Sequence, residues 1–147
     1  MRSMAGTARC CVMAGVLMAC SSPPPPSAGG SLGDLRFSEG FAYEPIIQAS
    51  GAAYIRIENR GTLPDTLLEA SSPAARGAMF HGGSMAHMMV LPIPAAGELR
   101  LEPGGTHIML QEFAAMPKAG DSLAVTLRFA RAGSVTLKLP IRLYGTP

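Results

Sequence analysis

Ser122-Leu123-Ala124-Val125-Thr126-Leu127-Arg128-Phe129 alternates without a break. Leu123, Val125, Leu127 and Phe129 fall on one side of an extended chain, and Ser122, Ala124, Thr126 and Arg128 on the other. After Ala132-Gly133 the rhythm resumes, with Val135, Leu137, Leu139 and Ile141 set against Thr136, Lys138, Pro140 and Arg142. Two such runs with a glycine-bearing turn signal between them read as strands, each with an apolar row on one face and polar groups on the other. Pro140 has no N–H for a ladder, which predicts an edge or a bulge at that point.

The same pattern extends upstream. Ala53, Ile55 and Ile57 alternate with Tyr54, Arg56 and Glu58, and Leu99 and Leu101 alternate with Glu98, Arg100 and Glu102. Asn59-Arg60-Gly61, Pro103-Gly104-Gly105 and Ala119-Gly120-Asp121 supply turns between the runs. No long stretch has helical period. The 17 Gly and 13 Pro in 147 residues, with no Trp, fit turns and short strands better than a helical bundle. The expectation is an all-β fold, a Greek-key β-sandwich or barrel of about 110 residues.

The first residues are of another kind. Arg2 and Arg9 precede an apolar run from Cys10 to Ala19. That run is too short for a membrane-spanning helix, which needs about 20 apolar residues. It reads as a secretory signal. Leu17-Met18-Ala19-Cys20 resembles a bacterial lipobox, which implies cleavage before Cys20 and a lipid on its sulfur. The alternative is an ordinary signal peptide with Cys20 incidental. Ser21-Ser22 and Pro23 to Pro26 continue into Ser27-Ala28-Gly29-Gly30, a composition that suits an extended tether. The expected organisation is a signal peptide over 1–19, a lipid-anchored tether over 20–33 and a β-sandwich over 34–147. No nucleic-acid partner is expected from a formal charge of +2.

Loss of residues 1–19 removes Cys10 and Cys11 and lipidates Cys20, leaving the sandwich without a free thiol. That excludes a disulfide framework, a cysteine nucleophile and a blue-copper electron-transfer site, which needs a thiolate. What the sandwich has instead is methionine and histidine. Met79, Met85, Met88, Met89, Met109 and Met116 lie in one stretch with His81, His87 and His107, and neither residue type recurs elsewhere after Cys20. In Thr106-His107-Ile108-Met109-Leu110, His107 and Met109 share a strand face while Ile108 and Leu110 turn to the core. His81-Gly82-Gly83-Ser84-Met85 has the composition of a tight hairpin with an imidazole and a thioether near its tip. Thioethers are soft, neutral donors that select Cu(I). Zinc prefers thiolate, imidazole and carboxylate, and no carboxylate lies between Glu69 and Glu98. Calcium and magnesium need oxygen donors. In an oxidising compartment methionine also avoids the disulfide chemistry open to thiolates. The competing reading is that the methionines fill gaps in a core.

On these residues the chain resembles the PCuAC family of periplasmic copper chaperones over most of 37–144. Ala52 to Gly61 is similar to the family's first clear strand, and Ala70 to Ala75 to the segment before its metal-binding hairpin. Ile93 to Gly97 and Leu101-Glu102-Pro103-Gly104-Gly105-Thr106-His107-Ile108-Met109-Leu110 are similar to its most recognisable block. Residues 86–106 separate Met85 from His107, which is the family's spacing. The resemblance implies a cupredoxin-like Greek-key β-sandwich that is not an enzyme. It implies copper, with Cu(I) preferred, held by two His and two Met: His81, Met85, His107 and Met109. The hairpin between His81 and Met85 is shorter than in the family, so His87 can replace or supplement His81, and Met79 and Met88 are further alternates. The implied role is delivery of copper to a periplasmic acceptor such as cytochrome c oxidase, from a lipid-anchored position in the bacterial cell envelope facing the periplasm. Copper tolerance or sequestration is an alternative role. A structural or adhesive β-sandwich lipoprotein without a metal is the alternative of a different class.

Overall fold

The structure, a computed structural model, describes residues 28–83 and 87–145. The signal peptide, Cys20, the proline tract and Met85 lie outside the described residues. Eleven strands are formed: β1 (Ala28–Leu32), β2 (Leu35–Tyr43), β3 (Ser50–Asn59), β4 (Asp65–Ser71), β5 (Ala75–His81), β6 (His87–Met88), β7 (Leu91–Ile93), β8 (Glu98–Leu101), β9 (His107–Phe113), β10 (Ser122–Phe129) and β11 (Ser134–Arg142). The described residues contain no helix, and the all-β expectation holds.

The strands follow one another as β6-β5-β9-β3-β2-β11-β10-β4-β7, with β1 on β2 and β8 on β3. All pairings are antiparallel except β2 with β11, which meet in parallel at Ile141↔Ala42 and Arg142↔Tyr43. The order folds over at that seam, so the β5-β9-β3-β2 layer faces the β11-β10-β4-β7 layer. Between them lie the residues that the alternation placed inside. Ala53, Ile55 and Ile57 of β3 are buried, as are Leu123, Val125, Leu127 and Phe129 of β10 and Leu137, Leu139 and Ile141 of β11. A core built from alternate residues of two facing sheets is what makes the sandwich stable, since each strand has only one apolar face to hide.

One expectation is corrected and another is met. The tether was expected to run to residue 33, but Ala28–Leu32 form β1, paired with β2 through Ala28↔Gly40 and Leu32↔Leu35. Ala28 is buried, and Gly40 leaves the space: a Cβ there would come within 2.8 Å of Leu139 and 2.9 Å of the Ala28 Cβ. Glycine and serine alone read as linker, yet here a close backbone approach requires the glycine. Pro140 meets the edge expectation locally: on the side its nitrogen faces, β11 has no strand partner before Ile141. The Ile141 N–H donates to Asp121 O of the β10 side at 2.9 Å. The Pro140 nitrogen therefore points the opposite way, towards β2, at the residue before β2–β11 pairing begins. No donor is needed there.

Candidate metal centre

The candidate site lies on the outer face of the β6-β5-β9 end. In β9, Ile108 and Leu110 are fully buried, while His107 and Met109 are half-buried on the opposite face, as the alternation predicts. In β5, Phe80 enters the core, so Met79 and His81 take the outer face. The β5–β9 register pairs His81 with His107 and Met79 with Met109. The β5–β6 register pairs His81 with His87. Three strands thus set the three histidines side by side in one row, with a facing methionine pair in the next.

The ring centroids of His81 and His87 are 4.7 Å apart, and those of His81 and His107 are 5.8 Å apart and steeply inclined at 61°. His81, the middle ring, is buried, and both its nitrogens lack a hydrogen-bond partner. Burial holds its pKa below the ordinary histidine value, and the neighbouring His87 and His107 add to the effect. An imidazole whose N–H and lone pair are both without partners is a poor structural device and a good ligand. The Nδ1 of His107 lies 3.0 Å from Gly105 O. A carbonyl only accepts, so Nδ1 carries the proton and Nε2 presents its lone pair. Gly105 belongs to the tight Pro103-Gly104-Gly105 turn, closed by Glu102 N–H to Thr106 O at 2.8 Å, with Gly104 at φ 79°. The turn therefore fixes the tautomer of the histidine that follows it.

Of the expected site residues, His81, His107 and Met109 come together, and His87 joins them from the edge strand. Met79 is brought opposite Met109. Met88 pairs with Phe80 and so shares that residue's face of the sheet, away from the histidine row. Met85 lies outside the described residues. Among the described residues no three His, Cys, Asp or Glu side chains are grouped to hold a metal ion by themselves. Nitrogen and oxygen donors alone do not make a site here, and the thioethers have to be counted.

The sequence reading missed the aromatic flank. Tyr54 stands beside His107 at 6.2 Å between centroids, and Phe41 lies 5.0 Å beyond Tyr54. Tyr43 and Tyr144 continue the cluster at 5.1 Å from each other. An open groove of about 420 Å³ runs from Met109 between Tyr43, Tyr54, Tyr144, Ile46 and Ile47. Tyr54 sits at a position whose alternation reads as solvent-facing, yet it is buried. The signal available in the sequence was Phe41 and Tyr43, two apart and thus on one face.

Comparison with known proteins agrees with this architecture. Residues 39–141 match the LpqE-like family, described as "Putative lipoprotein LpqE-like". A lipoprotein of Leifsonia xyli subsp. xyli (strain CTCB07), "Putative lipoprotein Lxx21020", is 31% identical over 99 residues, covering 62% of this chain and 60% of that protein. The match thus spans less than two thirds of the relative. Among solved structures, the copper-bound PCuAC domain from PmoF2 superposes with a TM-score of 0.73 at 23% identity, covering 78% of this chain and 97% of that one. The Cu(I) form of DR1885 from Deinococcus radiodurans gives 0.60 at 26% identity, covering 72% and 76%. The sandwich expected from the sequence is therefore that of PCuAC domains. The chain belongs to the LpqE-like lipoprotein family.

Proposed function

We propose that this protein is a lipid-anchored Cu(I) carrier of the cell envelope, facing the periplasm, that gives copper to a periplasmic acceptor such as an oxidase subunit. The inner ligands are His81, His107 and Met109, with a second thioether from Met79 or Met85. One observation carries the reading: His81 is a buried imidazole with two unpartnered nitrogens, standing between other imidazoles beside a cross-strand methionine pair. The copper-bound PCuAC domain from PmoF2 and the Cu(I) form of DR1885, which share this fold, support the same chemistry. Neutral soft donors favour Cu(I) and give Zn²⁺ no thiolate or carboxylate to offset its charge. The site supports binding and release, and no pair of carboxylates or thiol nucleophile stands beside it for catalysis among the described residues.

The test is a competition titration of the full chain against a Cu(I) chelator at pH 7, with a parallel Zn²⁺ titration. Tight binding of one Cu(I), with Zn²⁺ much weaker, is expected. His81→Ala, His107→Ala and Met109→Ala should each weaken Cu(I) binding by at least about tenfold, ~1.4 kcal/mol. Met79→Ala and Met85→Ala, compared side by side, assign the second thioether by the larger loss. Equal affinity for both metals, or indifference to all these substitutions, would return the cluster to ordinary packing and the protein to a metal-free β-sandwich lipoprotein.

A further inference from the structure

Strand β6 ends its side of the sheet: it pairs with β5, and among the described residues no strand lies beyond it. Exposed strand edges are commonly blunted with charge or proline. This edge instead carries His87, Met88 and then Met89, and the exposure rises from 37% at Met88 to 87% at Met89. A thioether in water contributes nothing to a core, and so the gap-filling role of methionine does not apply to Met89. The edge also adjoins the one imidazole that solvent does not reach. Both His81 nitrogens are closed off. On one side His81 meets His107, which is half-buried with Tyr54 behind it. On the other it meets His87, which is exposed and nearer, at 4.7 Å against 5.8 Å. His87 is thus the nearer and more exposed of the two imidazoles that flank His81.

We propose that β6 and the residue after it carry a second, outer copper position, His87 with Met89, which takes Cu(I) at the surface and passes it to His81 and back. The inference rests on the carrier reading and adds a route to it. The step is a ligand exchange: a bond from copper to a His81 nitrogen forms as the bond to the His87 nitrogen breaks. Copper stays in the +1 state throughout, no electron moves, and the neutral His81 ring has a lone pair to offer without losing a proton. Soft, neutral donors at both positions keep the ion in one chemical environment along the path.

The experiment uses the full chain in detergent, loaded with Cu(I) alone, and follows transfer to a chromophoric Cu(I) chelator by stopped flow in both directions. His87→Ala combined with Met89→Ala should slow uptake and release together by about tenfold, equivalent to ~1.4 kcal/mol in barrier. Because both directions slow alike, the equilibrium affinity should stay within about twofold. His87→Met, which keeps a soft donor, should restore the rates. Circular dichroism confirms folding, which these exposed positions should not disturb. Unchanged rates in the double variant overturn the proposal. So does a tenfold or larger loss of affinity in His87→Ala, which would make His87 an inner ligand. A wild-type chain that takes up no Cu(I) overturns the carrier reading itself, and the relay with it.

Discussion

His81 illustrates how one residue records its purpose in what it lacks. Buried imidazoles are ordinarily hydrogen-bonded, because an unpartnered polar atom costs about 1–3 kcal/mol. Neither nitrogen of His81 has a partner, and its pKa is lowered by burial and by His87 and His107. The sign of the consequence is fixed. In the unfolded chain the ring takes up a proton below about pH 6.5, whereas in the folded chain it resists until a lower pH. Across that window the unfolded state binds more protons, so stability is complete above about pH 6.5 and is lost as pH falls through the folded value. Urea unfolding of the metal-free protein should therefore show a larger drop between pH 7.5 and 5 for the wild type than for His81→Phe. Equal pH dependence in the two would mean that His81 is solvated. His107 differs in kind, because the Gly105 carbonyl already holds its Nδ1 proton. Its replacement should weaken copper binding.

At the scale of elements, β9, β10 and β11 were legible because they are long enough for alternation to declare a face. The His107–Met109 pair on the outer side of β9 follows from that alone. β1 and β6 were not legible. Gly29, Gly30 and Ser31 have no pattern, and only the pairing with β2, from Ala28↔Gly40 to Leu32↔Leu35, makes a strand of them. β6 has two residues, too few for any period, and so the row of three histidines could not be seen before the β5–β9 and β5–β6 registers were known. Met79 could be named only as an alternate for the same reason, since its partner Met109 is thirty positions along the chain. Two outcomes test these elements. A chain starting at Asp34 lacks β1 and uncovers the Leu139 side of Gly40. It should melt at least about 4 °C below one starting at Ala28, as ~1 kcal/mol does in a domain of this size. Gly83→Ala would bring a Cβ to 2.9 Å from Gly104 O. Gly104 O is backbone and cannot swing aside, so Gly83 must move away from the turn before His107. Cu(I) affinity should fall, with the melting temperature nearly unchanged. Unaltered affinity would show that the two turns do not set the site.

The whole molecule has to be read as a sandwich together with the segment ahead of it. Without residues 1–19, the twelve basic residues become ten by loss of Arg2 and Arg9, against ten acidic ones. A chain with no net charge has no general attraction to an anionic membrane surface, so electrostatics do not hold it at the envelope. No helix among the described residues is long and apolar enough to cross a membrane. The anchor proposed for this protein is Cys20. A lipid contributes about 0.8 kcal/mol per buried methylene, and one acyl chain alone anchors only weakly. A diacylglycerol on the sulfur supplies two, which is enough for stable attachment. The match to a lipoprotein family supports this assignment. Cys20→Ser should abolish incorporation of labelled fatty acid and move the protein from the membrane fraction to the soluble one, or leave it uncleaved. The substitution lies eight positions before Ala28, where β1 begins, so a soluble Cys20→Ser chain should keep the wild-type melting temperature and Cu(I) affinity. Unchanged labelling and fractionation would show that the anchor is not at Cys20, while loss of copper binding in the soluble variant would show that the site depends on the membrane.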